Sequence, residues 1–373
     1  MYVLEGHYSI KDGTFWSLKI SKNQGGPVKN PSVRKKLIGF GRVLIEGSRI
    51  VPYERAFKES GETWLEIRQG AHQLHIENFD ISRVATGILA REGNNKDLFF
   101  TNLSFQDTRE NLVLYGHPDC SDRDHCKAAK KGLLSNGIKI EKVNGLRYSK
   151  RHIRLSHGIF GVTVLNSSAD SQSLDGDFAV GFDVENSSHD IVFQNCTSQK
   201  NLYTDSSYWN GDGFKSESET ENIRWIGCTS MDNADGGFDI KSPGAVLEQI
   251  TASGNGRNIR IWSQREALLT NISVSHARHW GGEGTPCGLW IQGIASCHGC
   301  TIFDNPTQIR LEKRNQPCEL RLYDSVITAG KDETLVFREK GTELQLTRTE
   351  MRQSDNPPST SKTPEEMPPE HRS

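Results

Sequence analysis

The chain has 373 residues, 34% of them apolar, 35 glycines, and 45 Lys+Arg against 47 Asp+Glu for a formal net charge of -2. Near-neutral charge excludes a nucleic-acid binder that works by bulk charge and a polybasic membrane patch, and no stretch approaches the roughly 20 apolar residues of a membrane span. So low an apolar content also excludes a large globular core; it leaves a partly disordered chain or a thin, elongated fold whose strands show one face to water.

The N-terminus, MYVLEGHYSI, shows no basic segment followed by an apolar one, so no signal peptide is visible. Residues 1–70 read as an entry cap, with strand-like VLEGHYSI, FWSLKIS and RVLIEG broken by Gly and Pro. Residues 71–353 carry a repeat: IENFDIS, FTNLSFQ, VLNSSAD, FQNCTSQKN, WIGCTSMDN, LEQITASGN, LTNISVS and CHGCTIFDN. Their alignment puts Phe79, Leu103, Ser167, Cys196, Cys228, Ile250, Ile272 and Cys300 in one column. Two places on stand Ile81, Phe105, Ala169, Ser198, Ser230, Ala252, Val274 and Ile302, and alternate residues of a strand share a face, so both columns point inward. The long step from Leu103 to Ser167 must hide a further rung and a polar insertion at 116–136. Within it, Cys120 and Cys126 are candidates for a disulfide or a weak metal clip. The CHGC at 297–300 is a lone CxxC and a poor zinc site. Cys196, Cys228 and Cys300 read as small core residues.

Five places after the first column stand Asn201, Asn233, Asn255 and Asn305. Asparagine tolerates the left-handed backbone, and its amide can bond the same residue one rung away. A second strand follows each turn: GILAR, GIKIE, GFDVE, GFKSE, GFDIK, NIRIW, GLWIQ and QIRLE. Phe182, Phe214, Phe238, Ile259, Leu289 and Ile309 take the inward position. Asp183, Lys215, Asp239, Arg260, Trp290 and Arg310 then point outward, and so do Glu185, Glu217, Lys241, Trp262, Gln292 and Glu312. A second insertion spans 199–211. The tail from 354 to 373 is Pro-rich and polar and reads as disordered.

The stacked asparagines at a turn resemble those of right-handed parallel β-helices of the pectate-lyase type, and the fold expected is an all-β, single-stranded parallel β-helix with loop insertions. The densest polar cluster supports the same likeness. Asp212-Gly213-Phe214 and Asp235-Gly236-Gly237-Phe238-Asp239 resemble the DGF and DDGWD turns of polysaccharide lyases of family nine. The resemblance implies that Asp212, Asp235 and Asp239 bind Ca²⁺, a hard cation suited to oxygen ligands. The second Asp of the family's pair is Gly236 here. The column that carries the family's lysine base gives Arg260.

The chemistry implied is β-elimination on a uronic-acid-containing glycan. A cation neutralises the sugar carboxylate, and a base removes the C5 proton. Arg260, Lys215 and Lys241 are the candidate catalytic cations, with crowding expected to lower a lysine's pKa. Trp209, Trp262 and Trp290 offer faces to sugar rings, and Asn210 and Glu217 offer polar contacts. The bland alternative is a solvated ladder of alternating charges, each pair worth at most ~1 kcal/mol. His157, His276, His279 and His298 share no column and read as structural or surface residues. Two other functions remain in view. A hydrolase like the polygalacturonases would use Asp212 and Asp235 as paired carboxylates, although no GHG motif follows and RIW replaces RIK. A non-catalytic glycan-binding β-helix is the other. The expected partner is an acidic polysaccharide, met by a monomer outside the cytoplasm, with no nucleic acid or membrane involved.

Overall fold

The computed structural model describes residues 2–3, 6–9, 35–41, 43–48, 62–121, 126–174, 178–205, 208–280 and 284–354. The segment FWSLKIS and the tail after Ser354 lie outside the described residues, as does the side chain of Trp209.

Eleven short strands pair in chain order, every neighbour parallel: Thr63–Glu66, Thr86–Ala90, Glu110–Tyr115, Arg151–Ser156, Val180–Val184, Asp212–Ser216, Gly236–Ile240, Arg257–Ile261, Cys287–Ile291, Thr307–Leu311 and Thr334–Arg338. We call this the site sheet. The strands between them form a second, larger sheet, also parallel throughout. Each rung therefore visits the large sheet, turns, crosses to the site sheet and returns, which is the path of a parallel β-helix. The entry takes part, since Val43–Glu46 pairs with His72–Ser82 and Thr63–Glu66 pairs with Thr86–Ala90.

Both predicted inward columns are buried in register, from Phe79 to Cys300 and from Ile81 to Ile302. The hidden rung is the strand Asn136–Leu146, whose Val143 completes the first column between Leu103 and Ser167. This corrects one assignment. GIKIE belongs to that strand of the large sheet, and the rung's strand in the site sheet is Arg151–Ser156. Glu110–Tyr115, one rung earlier, is likewise a site-sheet strand that the repeat pattern did not reveal.

The asparagine ladder is present, but its backbone differs from expectation. Asn201, Asn233, Asn255 and Asn305 are fully buried, and the left-handed residue is the one before each: Lys200, Asp232, Gly254 and Asp304. That turn aims the asparagine amide along the axis. Asn201 Nδ2 donates to Asn233 Oδ1 at 2.7 Å, and Asn233 Nδ2 donates to Asn255 Oδ1 at 2.8 Å. Ala277 interrupts the column, and Asn258 carries it across to Asn305 at 3.0 Å. A second left-handed column, including Asn78, Asn102, Asn166, Asn195 and Asn271, bends the large sheet just before the first inward residue.

The core facing the site sheet is a stack of aromatic rings. Phe182, Phe214 and Phe238 lie 4.8 and 4.7 Å apart, the spacing of parallel strands. Cys196 and Cys228 are buried free thiols as expected. Cys300 is a buried core residue as expected and is disulfide-bonded to Cys297, and Cys120 pairs with Cys126. The 116–136 insertion carries the four-residue helix Lys127–Lys130, and the 199–211 insertion carries an antiparallel hairpin ending at Asn210. Among the described residues no helix is long and apolar enough to cross a membrane.

Candidate functional site

The strand register decides what lies side by side on the outer face of the site sheet. Arg154, Asp183, Lys215, Asp239, Arg260, Trp290 and Arg310 are successive partners in one row. The predicted row is thus in place and begins one rung earlier than the sequence showed. Beside it runs the row that holds Glu185, Glu217, Lys241, Trp262, Gln292 and Glu312, tied rung to rung by backbone bonds such as Lys241 N to Ser216 O and Trp262 N to Ile240 O.

These charges are not a solvated ladder. The side chains of Asp183 and Asp239 are 0% and 8% exposed, those of Lys215 and Arg260 17% and 15%. Each has a partner of opposite charge on its own strand or a neighbouring one. Asp183 accepts from Arg151 and faces Lys215 Nζ at 3.5 Å. Lys215 and Lys241 share Glu217, at 2.8 and 3.0 Å. Asp239 accepts from Trp262 Nε1 at 2.7 Å and faces Lys241 Nζ at 3.4 Å. Asp235 is paired with Arg257.

This network fixes the protonation states. Burial opposes a charge on Lys215, but Asp183 and Glu217 outweigh it and raise its pKa; Asp239 and Glu217 do the same for Lys241. The expected lowering is therefore reversed, because the nearest neighbours of each lysine are carboxylates rather than cations. Burial likewise opposes ionisation of Asp183, yet Lys215 and Arg151 hold its carboxyl at about 2. Asp212 goes the other way. Burial, then Asp235 and Asp239, push its pKa well above the carboxylate range. Asp235 is also raised, by burial, against the pull of Arg257.

Arg260 lies between two indoles, 3.8 Å from the Trp262 ring centre and 4.3 Å from that of Trp290. Arg314 covers Trp262 at 4.3 Å and Arg310 approaches Trp290 at 5.3 Å. Of the tryptophans expected to stack on sugars, Trp262 and Trp290 thus have guanidinium groups against their rings. The result is a rigid cation–π stack that presents fixed positive charge. Asn210 is buried at the end of its hairpin, immediately before the strand that opens with Asp212.

The three aspartates expected to bind Ca²⁺ are engaged within the protein. Asp212 Oδ1 accepts the N–H of Gly236 at 2.8 Å, and a Cβ on Gly236 would lie 2.8 Å from that same oxygen. The place of the fourth family ligand is therefore taken by Asp212 itself. Asp235 is ion-paired with Arg257, and Asp239 accepts from Trp262 Nε1 and faces Lys241. Among the described residues no group of three His, Cys, Asp or Glu is placed to hold a metal ion. As placed, the three aspartates are turned to protein donors and do not form a Ca²⁺ ligand set.

Sequence reasoning missed the N-terminal third of this face. Glu110, Tyr115, Arg151, Arg154 and His157 lie on or just after the two unrecognised strands. His157 stacks on Tyr115 with ring centres 4.1 Å apart, and Arg154, ion-paired to Glu185, lies 5.3 Å over the Tyr115 ring. The available signal was the short alternation Ile153-Arg154-Leu155 within RHIRLS, with Ile153 and Leu155 inward and Arg154 outward.

No family model and no curated protein matches the sequence. Solved structures do match the fold. The catalytic domain of a GH87 alpha-1,3-glucanase with bound tetrasaccharides superposes with a TM-score of 0.56 at 9% identity, over 94% of this chain and 64% of that one. A mutant of the periplasmic alginate epimerase AlgG gives 0.54 at 10% identity, over 85% and 77%. Pectate lyase Pel9A gives 0.51 at 15% identity, over 76% and 70%. The fold is the right-handed parallel β-helix. At these identities the likeness reaches the fold and goes no further.

Proposed function

We propose that this chain cleaves an acidic, uronic-acid-containing polysaccharide laid along the outer face of the site sheet, and that it does so by β-elimination. The observation that carries the reading is the set of fixed, half-buried cations on one face, Lys215, Lys241, Arg260 and Arg310, interleaved with carboxylates and tryptophans. Positive charge held in place before the substrate arrives neutralises a sugar carboxylate and makes the neighbouring C5 proton more acidic. Arg260, as a guanidinium that does not deprotonate in proteins, suits holding a sugar carboxylate further along the bound chain. Lys215 and Lys241, held protonated, suit binding the acidic groups of the sugar chain rather than removing a proton from carbon. The β-helix architecture shared with a pectate lyase, an epimerase and a glucanase supports work on a polysaccharide. Disulfides at Cys120–Cys126 and Cys297–Cys300 suit an oxidising compartment, the periplasm or the exterior.

One observation favours a second reading, hydrolysis. Asp212 is buried and held protonated next to Asp235 and Asp239, as a general acid must be. The two readings separate in one assay on polyuronates. Elimination gives an unsaturated product that absorbs in the ultraviolet, whereas hydrolysis gives reducing ends without that absorbance. Their pH dependence differs as well. If Asp212 is the acid, activity is lost as pH rises through its raised pKa. Reducing ends without absorbance, together with that pH loss, would replace the first reading with the second.

A further inference from the structure

Elimination needs a group that takes the C5 proton, and the cations of the central rungs are all held charged. The N-terminal rungs of the same face hold a group in the opposite state. His157 has a left-handed backbone, φ 58°, just past the end of the strand Arg151–Ser156, which turns its ring onto Tyr115. Other histidine–aromatic stacks occur at His75–Phe99, Phe160–His189 and His298–Tyr323, and each lies on the large sheet. The Tyr115–His157 stack lies on the face that carries the charge network, with the Arg154 guanidinium over the tyrosine.

We propose that His157 removes the C5 proton of the bound uronate and that Tyr115 protonates the leaving 4-oxygen, with Arg154 beside them to neutralise the sugar carboxylate. This rests on the elimination reading above. The electrons of the C5–H bond become the C4=C5 double bond. The C4–O bond breaks with its pair on oxygen, and the Tyr115 hydroxyl proton caps that oxygen. The proton on His157 then returns to the Tyr115 phenolate through water, and both groups are restored. No oxidant, reductant or metal is required.

The surroundings suit both roles. Burial, then Arg154, lower the pKa of His157, so its imidazole is neutral at physiological pH. Burial raises that of Tyr115, so its hydroxyl keeps its proton. The titratable groups around the pair come from every neighbouring element: Glu110 on the strand before, Arg151 and Arg154 on its own strand, and Asp183 and Glu185 on the next. The 116–136 insertion adds His117, whose N–H donates to His157 O, and Asp119. Ser156 Oγ lies 2.7 Å from His157 Nδ1 and itself accepts from Asn186 Nδ2 at 3.0 Å, which fixes the ring. The insertion also packs Cys120 and Leu134 against the adjoining Gly158, walling one side of the pair.

The test is the full chain on polyuronates, reading ultraviolet absorbance and reducing ends together, for the wild type, Tyr115→Phe, His157→Gln and His157→Ala. Tyr115→Phe keeps the ring stack, so it is expected to fold normally and to lose at least ~100-fold in kcat with little change in KM. His157→Gln is expected to lose as much and to remove the acid limb of the kcat/KM profile, and added imidazole should partly restore His157→Ala. If the wild type eliminates and folded Tyr115→Phe and His157→Gln stay within about threefold in kcat, this assignment is overturned and the elimination reading stands. If the wild type yields only reducing ends or no product, the elimination reading fails and the assignment falls with it.

Discussion

The two faces of the site sheet share one backbone and solve the same geometric problem in opposite ways. Inside, like stacks on like: Phe182, Phe214 and Phe238 repeat at the rung spacing, and nothing needs compensation. Outside, the immediate neighbours of those residues, Asp183, Lys215 and Asp239, repeat at the same spacing, and like on like would be prohibitive in so dry a setting. Alternating sign is the condition for burying that row at all. The comparison teaches that a parallel β-helix gives a linear array for whatever residue types its sequence supplies, and that charge must be balanced along the array as well as within each rung.

The strongest way to break the inner array is Phe214→Ala, which opens a void between two stacked rings. It should cost about 4 kcal/mol, the range for large-to-small changes in a packed core, and the urea midpoint of unfolding will show it. The matching outer change is Asp183→Ala. It leaves Arg151 and Lys215 half-buried without their shared partner and should cost about 3 kcal/mol, as expected when one member of a buried pair is removed. A loss below about 1 kcal/mol would return this row to the class of exposed ion pairs. The sign of its pH dependence is fixed. The folded pKa of Asp183, about 2, lies below its unfolded value. Its contribution is therefore present near neutrality and lost as pH falls from the ordinary carboxylate range toward 2.

A third, smaller effect comes from a polar group on the inner side. His152 is fully buried, with Nε2 3.1 Å from Val143 O and Nδ1 2.9 Å from Asn111 Nδ2, and burial lowers its pKa to about 3. A depressed histidine pKa means that the unfolded chain takes up a proton first. Stability should fall as pH drops from about 6.5 toward 3, by at most about 1.4 kcal/mol per pH unit from this group. His152→Gln should flatten that slope between about pH 6.5 and 5, even if the variant is less stable at neutrality. An unchanged slope would show that the histidine takes up a proton without unfolding.

How much of this was legible in the sequence follows from the same array. The inward columns and both outward rows from Asp183 to Glu312 could be read because each rung repeats an alternation just after a glycine or asparagine turn. ENLVLY and RHIRLS escaped, since neither opens on that turn and the 116–136 insertion falls between them; Tyr115 and Arg154 were lost with them, and His157 was read as a structural or surface residue. Protonation was illegible for a different reason. The rows already set Asp183 and Glu217 beside Lys215, but only the fold shows how dry the group is and how closely the charges meet, at 3.5 and 2.8 Å. Arg260 appears as an available side chain until Trp262 and Trp290 are seen to enclose it. Gly236 showed in the sequence that a ligand was missing, but only the fold shows what fills its place.

That filling leads to the smallest expected effect. Calcium that bound the native state would raise stability with the logarithm of its concentration, by about 2.7 kcal/mol at a hundredfold excess over Kd. With Asp212 on the Gly236 amide, Asp235 on Arg257 and Asp239 on Trp262, the wild type should show the same Tm in millimolar calcium and in a chelator. Gly236→Asp sharpens the point. Its Cβ would meet Asp212 Oδ1 at 2.8 Å and bring another carboxylate beside three already present, so the variant should be less stable than wild type in chelator. Calcium should then recover part of the loss, because the added group supplies the oxygen that Gly236 lacks and displaces Asp212 from the amide. A calcium-dependent rise in the Tm of the wild type would mean that the three native aspartates leave their protein partners for the ion, and that the outer row is balanced by a metal as well as by its own cations.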